Sequence, residues 1–544
     1  MDEKVGMSGP SGYDGRDAKA PGHFGESLDL DHGVSTDLIN ASGHVQEVER
    51  NFSLLTLTGV GINQGSTWGP AGAAIVIALY NGGPAGVLYE FIVVSVCYWV
   101  VAACIAELAS AIPSAGGVYH WASVTPGPRW GRIVGFYAGY WNWLGWTLGG
   151  ASIASVAGNI FVQMYAAHHP DLVVQPWHIF LASVIIAWLA CFLVCFGNRL
   201  MPHLNGIGIF ITVAGVFITI IIVAAMPGHG GRPAHATSAF IWSEWQDTGL
   251  GYPKGFVFVA GMLNGAFAVG TPDAVTHLAE EIPNPGLNIP KAIALQMAIG
   301  FITGFFYLIA VLYAINDFDA LSESPFPIAE IYRQATQSAA GESGLLVLML
   351  LAILLTLVCT FITSGRVLWT LGRDNATPLP KVVTKINKRL GMPFNATIIC
   401  GVLMTIILCI YVGNTTAFNA LVGAFVLLSS SSYIAAILPN LLTGRKNIIY
   451  GSFHMKGALG FIMNIIACVY MIVWFVIYSF PAALPVTAPT MNWSSLIWGG
   501  LTVLVTLWWL VSARKGYKGP QAIGGVATQA EVVRRVSIKD GEHA

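Results

Sequence analysis

Charged residues are scarce in this chain. Only 10% of its 544 residues are charged, against roughly 25% in a soluble globular domain, and 55% are hydrophobic, giving a mean hydropathy of +0.66. A net charge of −1 offers no basic surface for nucleic acid. A chain with so few charged residues and so much apolar surface would not be soluble in water. The composition therefore indicates a polytopic membrane protein that lies in the lipid bilayer.

The sequence also lacks the motifs of catalysis and cofactor binding. It has no G-x-x-x-x-G-K-[ST] nucleotide loop, no His/Cys cluster at metal-binding spacing and no nucleophile elbow. We therefore expect no enzyme activity, no cofactor and no bound metal, and an ATP-driven pump is disfavoured. Transport would draw on an ion gradient or on the membrane potential, worth about 2.3 kcal/mol per unit charge per 100 mV. All eight cysteines lie inside predicted spans, where they are expected to pack as apolar side chains without disulfides.

Apolar runs of about 20 residues predict the topology. They predict an all-α fold with twelve transmembrane helices, at residues 53–80, 84–111, 132–164, 177–198, 204–226, 255–281, 290–315, 343–371, 394–413, 416–440, 457–480 and 494–513. With the N-terminus inside, every Lys and Arg lies on the cytoplasmic side except Arg232, Lys254 and Arg333. This bias predicts that both termini are cytoplasmic.

The sequence predicts a tail outside the transmembrane domain at each end of the chain. Residues 1–50 are rich in Gly, Asp and Ser and lack the apolar core of a cleavable signal peptide. We predict an N-terminal cytoplasmic tail at 1–50, a transmembrane domain at 51–515 and a C-terminal cytoplasmic tail at 516–544.

Two of the predicted spans are interrupted in the middle by glycine, proline and polar residues. The break in the first span covers Gly59–Ser66, and the break in the sixth covers Ala268–Asp273. Unwound backbone at mid-membrane depth persists only where it lines a cavity or is buried in protein. A matched pair of breaks points to a transporter's binding site, with spans 1–5 and 6–10 forming an inverted five-plus-five repeat and two helices added after it.

A broken helix leaves free N–H groups on one half and free C=O groups on the other, which suits a zwitterion. We predict that amides of the first break hold a substrate carboxylate and that carbonyls of the second hold an amine. The predicted substrate-binding residues are Gly61, Ile62, Asn63, Gln64, Gly65, Trp146, Phe267, Ala268, Val269 and Gly270. Glycine would let the backbone approach the ligand, although it also serves helix packing in membranes.

Few acidic residues lie at membrane depth or at its edge. They are Glu90, Glu107, Asp273, Glu280 and Glu281. An ionisable group in this position is a functional hypothesis by default. Asp273 ends the second break, and we favour it as the coupling residue, which senses substrate or carries a proton. The structural alternative is a helix cap that satisfies the first amides of the following half-helix.

The third span carries an aromatic run. Its members are Tyr137, Tyr140, Trp141, Trp143 and Trp146. Aromatic faces attract ammonium and quaternary ammonium groups, so Trp146 and Phe267 could form part of a cation cage. An interfacial belt or ordinary helix packing is the alternative interpretation.

Two longer motifs carry a family resemblance. They are AELASAIPSAGGVYHWAS at Ala106–Ser123 and HLAEEIPNPGLNIPKAI at His277–Ile293. With the two breaks, they resemble the fungal amino acid/choline transporter family of the amino acid-polyamine-organocation superfamily, over most of residues 50–515. The resemblance implies a five-plus-five inverted-repeat fold, a central site between helices 1, 3, 6 and 8, and a plasma-membrane location.

The resemblance also implies roles for individual residues. Asn63, Gln64 and Gly65 would occupy the carboxylate-binding break, and Phe267 would be an aromatic gate, with Gly270 and Asp273 just beyond it. Some bacterial relatives place a lysine in helix 5 for proton coupling. The corresponding segment here, 205–226, contains no charged residue, so it does not supply that coupling route.

These observations predict a secondary active transporter of a small amine-bearing solute, such as an amino acid, 4-aminobutyrate or choline. It would be coupled to protons or driven by the membrane potential. One alternative is a polyamine or specialised amine transporter, for which both import and export stay open. Another is a nutrient receptor that keeps the site but does not transport. The sequence does not identify any protein partner.

Overall fold

The fold is given by a computed structural model that describes residues 52–324, 326–387, 389–411 and 417–520. Within that part every regular element is a helix, which confirms the predicted all-α class. The predicted tails lie outside the described residues, apart from 516–520. The tail boundaries therefore stay predictions.

The helices of the N-terminal half run from the first predicted span to the seventh. They are α1 (Leu54–Gln64), α2 (Trp68–Ala73), α3 (Ile75–Leu79), α4 (Gly83–Ala111), α5 (Val118–Val124), α6 (Gly131–Ala166), α7 (Pro176–Phe196), α8 (Met201–Ala225), α9 (Ser238–Trp242), α10 (Lys254–Val269) and α11 (Pro285–Tyr313). Two 3₁₀ helices accompany them, at Asn198–Leu200 and Ala274–Glu281.

The remaining helices complete the bundle. They are α12 (Phe318–Glu323), α13 (Pro327–Thr336), α14 (Ala339–Arg373), α15 (Pro380–Val383), α16 (Phe394–Tyr411), α17 (Ala417–Leu442), α18 (Gly457–Ile477), α19 (Ser494–Trp508) and α20 (Arg514–Gly516). A π-helical turn, Trp509–Ala513, joins the last two.

Nine helices of the described part are long and apolar enough to cross a membrane. The three other predicted spans fall on the broken first helix, on α6 and on α16, which is shorter. α6 is rich in Gly, Ser, Asn and Trp because protein rather than lipid surrounds it. The prediction of a multi-pass membrane protein is therefore confirmed, whereas the count of twelve spans and the inverted repeat stay predictions.

Apolar side chains cover the outside of the bundle. Leu189 on α7, Phe210 on α8 and Val511 in the π-helical turn are 63%, 74% and 72% exposed. So large an exposed apolar surface would promote aggregation in water, but it matches a lipid environment.

The broken helices lie in the interior of the bundle. α6 packs against α5, α7, α14 and α17. α1 packs against α8, α11 and α14, while α10 packs against α4 and α17. This arrangement places both breaks among buried helices, where unwound backbone can be satisfied by neighbouring side chains.

Candidate functional site

The first break is shorter than predicted. α1 continues to Gln64, and only Gly65–Thr67 separates it from α2. The glycine at position 59 does not unwind the helix. It allows close packing instead, because a Cβ there would lie 2.7 Å from the backbone oxygen of Asn205. The predicted start of the interruption, Gly59, is therefore wrong.

The second break also starts later than predicted. α10 ends at Val269, so Ala268 and Val269 are still helical, and Gly270–Asp273 links it to the 3₁₀ helix. Pro272 has no N–H to donate, which prevents the α-helical ladder from continuing. Instead, the side chain of Gln296 on α11 donates to the backbone oxygen of Thr271 at 2.9 Å.

A small cavity lies between the two breaks. Four predicted binding residues line it, namely Gln64, Trp146, Phe267 and Ala268. Residues from α14 and α17 that were not predicted also line it, namely Thr356, Thr360 and Phe425. The cavity thus collects residues from six helices, most of which are far apart in sequence.

The other predicted binding residues do not line this cavity, although all of them are buried. They are Gly61, Ile62, Asn63, Gly65, Val269 and Gly270. The side chain of Asn63 points towards α8, where it donates to the side-chain and backbone oxygens of Asn205 at 3.1 Å. The hydroxyl of Thr212 donates back to Asn63 at 3.2 Å. Direct substrate contact by these six residues stays a prediction.

The end of α1 is held by α14. The hydroxyl of Thr356 donates to the backbone oxygen of Asn63 at 2.8 Å. The side chain of Gln64 donates to the hydroxyl of Thr360 at 3.2 Å. These bonds satisfy polar groups at the terminus of a half-helix and orient Gln64 towards the cavity.

Three aromatic rings meet at the cavity. The ring centroids of Trp146 and Phe425 are 6.2 Å apart, and those of Phe267 and Phe425 are 5.8 Å apart, both edge to face. Sequence reasoning selected Trp146 and Phe267 but missed Phe425, because its position depends on how α17 packs against α6. Together the rings provide the kind of surface that attracts an organic cation.

Asp273 is fully buried and surrounded by hydrogen-bond donors. Its Oδ2 accepts from Asn142 Nδ2 at 2.7 Å and from Trp146 Nε1 at 3.2 Å. Its Oδ1 accepts from the hydroxyl of Tyr433 at 2.5 Å, and His277 Nε2 lies 3.2 Å from Oδ2. The side chain caps no backbone amide, so the alternative of a helix cap is wrong.

Trp146 connects Asp273 to the cavity. Its ring lines the cavity, while its N–H donates to the carboxylate. The carboxylate can therefore act electrostatically on a ligand through one side chain, without direct contact.

Gln296 joins the two breaks and was not predicted. Its side chain donates to Thr271 in the second break and packs against Gly61 and Gly65 at the first. A Cβ on residue 65 would lie 2.7 Å from the Cγ of Gln296. The feature of the sequence that could have indicated this role is that Gln296 is a polar residue in the middle of a predicted span.

We expect Gly65→Ala to reduce transport at least tenfold, because the added methyl group must displace Gln296 from Thr271. The measurement is the initial transport rate at equal surface expression. Gly206→Ala on α8 is the matched control, since nothing lies within 4 Å of its Cβ position, and we expect it to transport normally. Wild-type rates in both variants would contradict a role for this contact.

Ion pairs close the end of the bundle that is predicted to face the cytoplasm. Glu281 pairs with Arg366 at 2.5 Å, Glu280 with Arg373 at 3.0 Å, and Glu107 with Arg445 at 2.6 Å. All six side chains are buried. The first two pairs fix the 3₁₀ helix against α14, and the third joins α4 to the segment that follows α17.

Comparisons with known proteins agree with this architecture. A family model described as amino acid permease matches residues 52–501. A choline transporter of Saccharomyces cerevisiae is 30% identical over 490 residues, which cover 90% of this chain and 86% of that protein. These matches span nearly the whole described part.

Other relatives are named for different substrates. A swainsonine transporter of Arthroderma benhamiae is 27% identical over 482 residues, covering 87% of this chain and 93% of its own. The amino-acid permease BAT1 of Arabidopsis thaliana is 24% identical over 501 residues, covering 88% and 94%. The similarity therefore extends along the transmembrane part of proteins with varied substrates.

Proposed function

The chain belongs to the amino acid permease family, and we propose that it is a secondary active transporter whose substrate is a small organic cation of the choline type. That it is a membrane transporter follows from the family and from its apolar helices. The resemblance to fungal amino acid/choline transporters is likewise confirmed. The substrate class and the energy source are the proposal.

The observation that carries the proposal is the set of three aromatic rings at the cavity. Trp146, Phe267 and Phe425 come from α6, α10 and α17, and none of the cavity residues is basic or acidic. A quaternary ammonium group cannot donate a hydrogen bond, so aromatic faces are the appropriate partners for it. An inorganic ion would need more polar ligands than this lining offers.

The first break supports a cation over a zwitterion. The amides of Asn63 and Gln64 lie within α1, where they donate one turn back. The amide of Gly65 donates to the backbone oxygen of Gly61 at 2.7 Å. Three of the amides predicted to hold a carboxylate thus already donate hydrogen bonds within the protein. The aromatic side of the site is therefore more available to a ligand than these amides are.

The energy source is proposed to be a proton gradient or the membrane potential. Asp273 is the coupling candidate, since its carboxylate is linked to the cavity through Trp146. We also propose that both termini are cytoplasmic, that the tails are 1–50 and 516–544, and that the protein lies in the plasma membrane.

Uptake into yeast that lacks its own transporters tests the function. The panel is radiolabelled choline, 4-aminobutyrate, neutral amino acids and putrescine, at two pH values and with a protonophore. We expect choline accumulation to depend on the pH difference across the membrane and the protonophore to abolish it. We also expect Phe425→Ala to raise the KM for choline about tenfold, because a desolvated cation–π contact is worth about 1–2 kcal/mol.

Two variants serve as controls for the aromatic site. Phe425→Tyr keeps the aromatic face and should retain the KM. Phe306→Ala removes an exposed ring on α11 that is 56% accessible and away from the cavity, so it should also leave the KM unchanged. Uptake of amino acids without choline would overturn the proposed substrate class. Surface expression without any uptake would favour an exporter or a receptor.

A further inference from the structure

His277 lies one side chain beyond the cavity, on the 3₁₀ helix, and sequence reasoning gave it no role. Its Nδ1 is 3.0 Å from the backbone oxygen of Ala115, and its Nε2 is 3.2 Å from Oδ2 of Asp273. The side chains of both residues in this pair are 0% exposed. A backbone oxygen can only accept, so Nδ1 must carry a hydrogen.

The position of the second hydrogen follows from the other partners of the carboxylate. Oδ2 of Asp273 already accepts from Asn142 and Trp146, whose nitrogen atoms in these contacts can only donate. An ionised carboxylate has about four acceptor positions, and Tyr433 occupies one on Oδ1. A proton on Oδ2 would leave that oxygen fewer lone pairs for Asn142 and Trp146, whereas an ionised carboxylate can accept from all of its donors. Nε2 therefore donates, which makes His277 an imidazolium and Asp273 a carboxylate.

We propose that His277 is the proton-binding residue of this transporter, and that binding of an organic cation in the cavity releases its proton. The second part rests on the proposed function. Asp273 remains ionised throughout, so its role is to hold the proton on His277 rather than to carry it. The pair is neutral overall while His277 is protonated, and it is anionic once the proton has left.

The other titratable groups near His277 and Asp273 do not take over the role of either residue. Tyr433 from α17 faces Asp273 directly, and the hydroxyl of Tyr98 from α4 lies beside Gly270. Glu280 and Glu281 lie further along the 3₁₀ helix, and each is paired with an arginine of α14. His277 is thus the cationic group in direct contact with Asp273.

The sign of the linkage follows from charge. A cation in the cavity is stabilised by the anionic pair and not by the neutral one. Because the cation and the proton exclude each other, cation affinity should fall as the pH falls, by up to about tenfold per pH unit for a single linked proton. A neutral solute of similar size should show no such dependence.

The proton itself can be observed without any ligand. We would record solid-state NMR spectra of [¹⁵N]histidine-labelled protein in lipid nanodiscs at neutral pH, for the wild type and for His277→Gln. The signals that are missing from the variant should show both ring nitrogens protonated. A single protonated nitrogen would overturn the assignment of the proton to His277.

Choline binding at several pH values tests the release. Wild-type affinity should fall with falling pH, and binding in weakly buffered solution should acidify the medium. His277→Gln should bind choline with an affinity that is nearly independent of pH and should release no proton, whereas His203→Gln, at an exposed position of α8, should behave as the wild type does.

The outcomes separate the two proposals. A wild-type affinity that does not depend on pH, or a pH dependence that survives in His277→Gln, would overturn the proton release. If the variant does not fold, acidification by the wild type alone decides the release. Failure of the wild type to transport any amine would overturn the proposed function, and the NMR spectra would still locate the proton.

Discussion

Asp273→Asn is expected to lower choline uptake about 100-fold or more while the protein still reaches the membrane. The asparagine side chain has nearly the same shape, but one carboxylate oxygen becomes an NH₂ group that cannot accept a hydrogen bond. At least one donor among Asn142, Trp146, Tyr433 and His277 then faces another donor. Losing a buried hydrogen bond to a charged group costs about 1.5–3 kcal/mol, and His277 also loses its counter-ion.

The measurement is the uptake rate across a range of external pH, at matched surface expression. Asp171→Asn, at an exposed position between α6 and α7, is the matched control and should retain full activity. Loss of surface expression would show that Asp273 is needed for folding. The thermal unfolding temperature of the detergent-solubilised protein measures that effect. Uptake with an unchanged pH profile would remove Asp273 from the mechanism.

The existence of the two breaks was predictable, but their boundaries were not. Glycine, proline and polar residues in mid-span are chemically visible in a sequence. Whether a helix continues through a glycine depends on what packs against it. At Gly59 the neighbouring backbone of α8 occupies the space of a side chain, so the glycine supports packing and the helix continues.

Two of the three rings of the aromatic site were predictable, and the proton chemistry beside it was only partly so. Trp146 and Phe267 lie in spans that the sequence marked as unusual, whereas Phe425 joins them only when α17 packs against α6. Asp273 was visible as a carboxylate at membrane depth. The sequence shows His277 four positions after Asp273 but does not show that the two side chains are in contact. The backbone oxygen of Ala115, which requires a hydrogen on Nδ1 of His277, comes from another segment.

The largest loss of stability is expected from Arg366→Met. Arg366 donates to both carboxylate oxygens of Glu281, at 2.5 and 3.0 Å, and the side chains are 3% and 6% exposed. Removing the arginine leaves a buried charge without its partner, which typically costs about 3–5 kcal/mol. The loss is measured as a lower thermal unfolding temperature of the purified protein in detergent.

Two comparisons separate the buried charge from the loss of a side chain. Arg333→Met removes an arginine that is 62% exposed and paired with Glu330, and an exposed pair is worth at most about 1 kcal/mol. The double variant Arg366→Met/Glu281→Met removes both buried charges and should recover most of the stability. A single variant as stable as the wild type would contradict the assignment of a stabilising pair.

The double variant also distinguishes a gate from a structural contact. The backbone oxygen of Glu281 accepts from the amide of Phe52 at 3.1 Å, so the start of α1, the 3₁₀ helix and α14 converge at this residue. If the pair opens during the transport cycle, a stable double variant should show altered transport kinetics, because replacing two charges by apolar side chains changes the free energy of the closed state relative to the open one. If the pair only supports the fold, stability and transport should recover together.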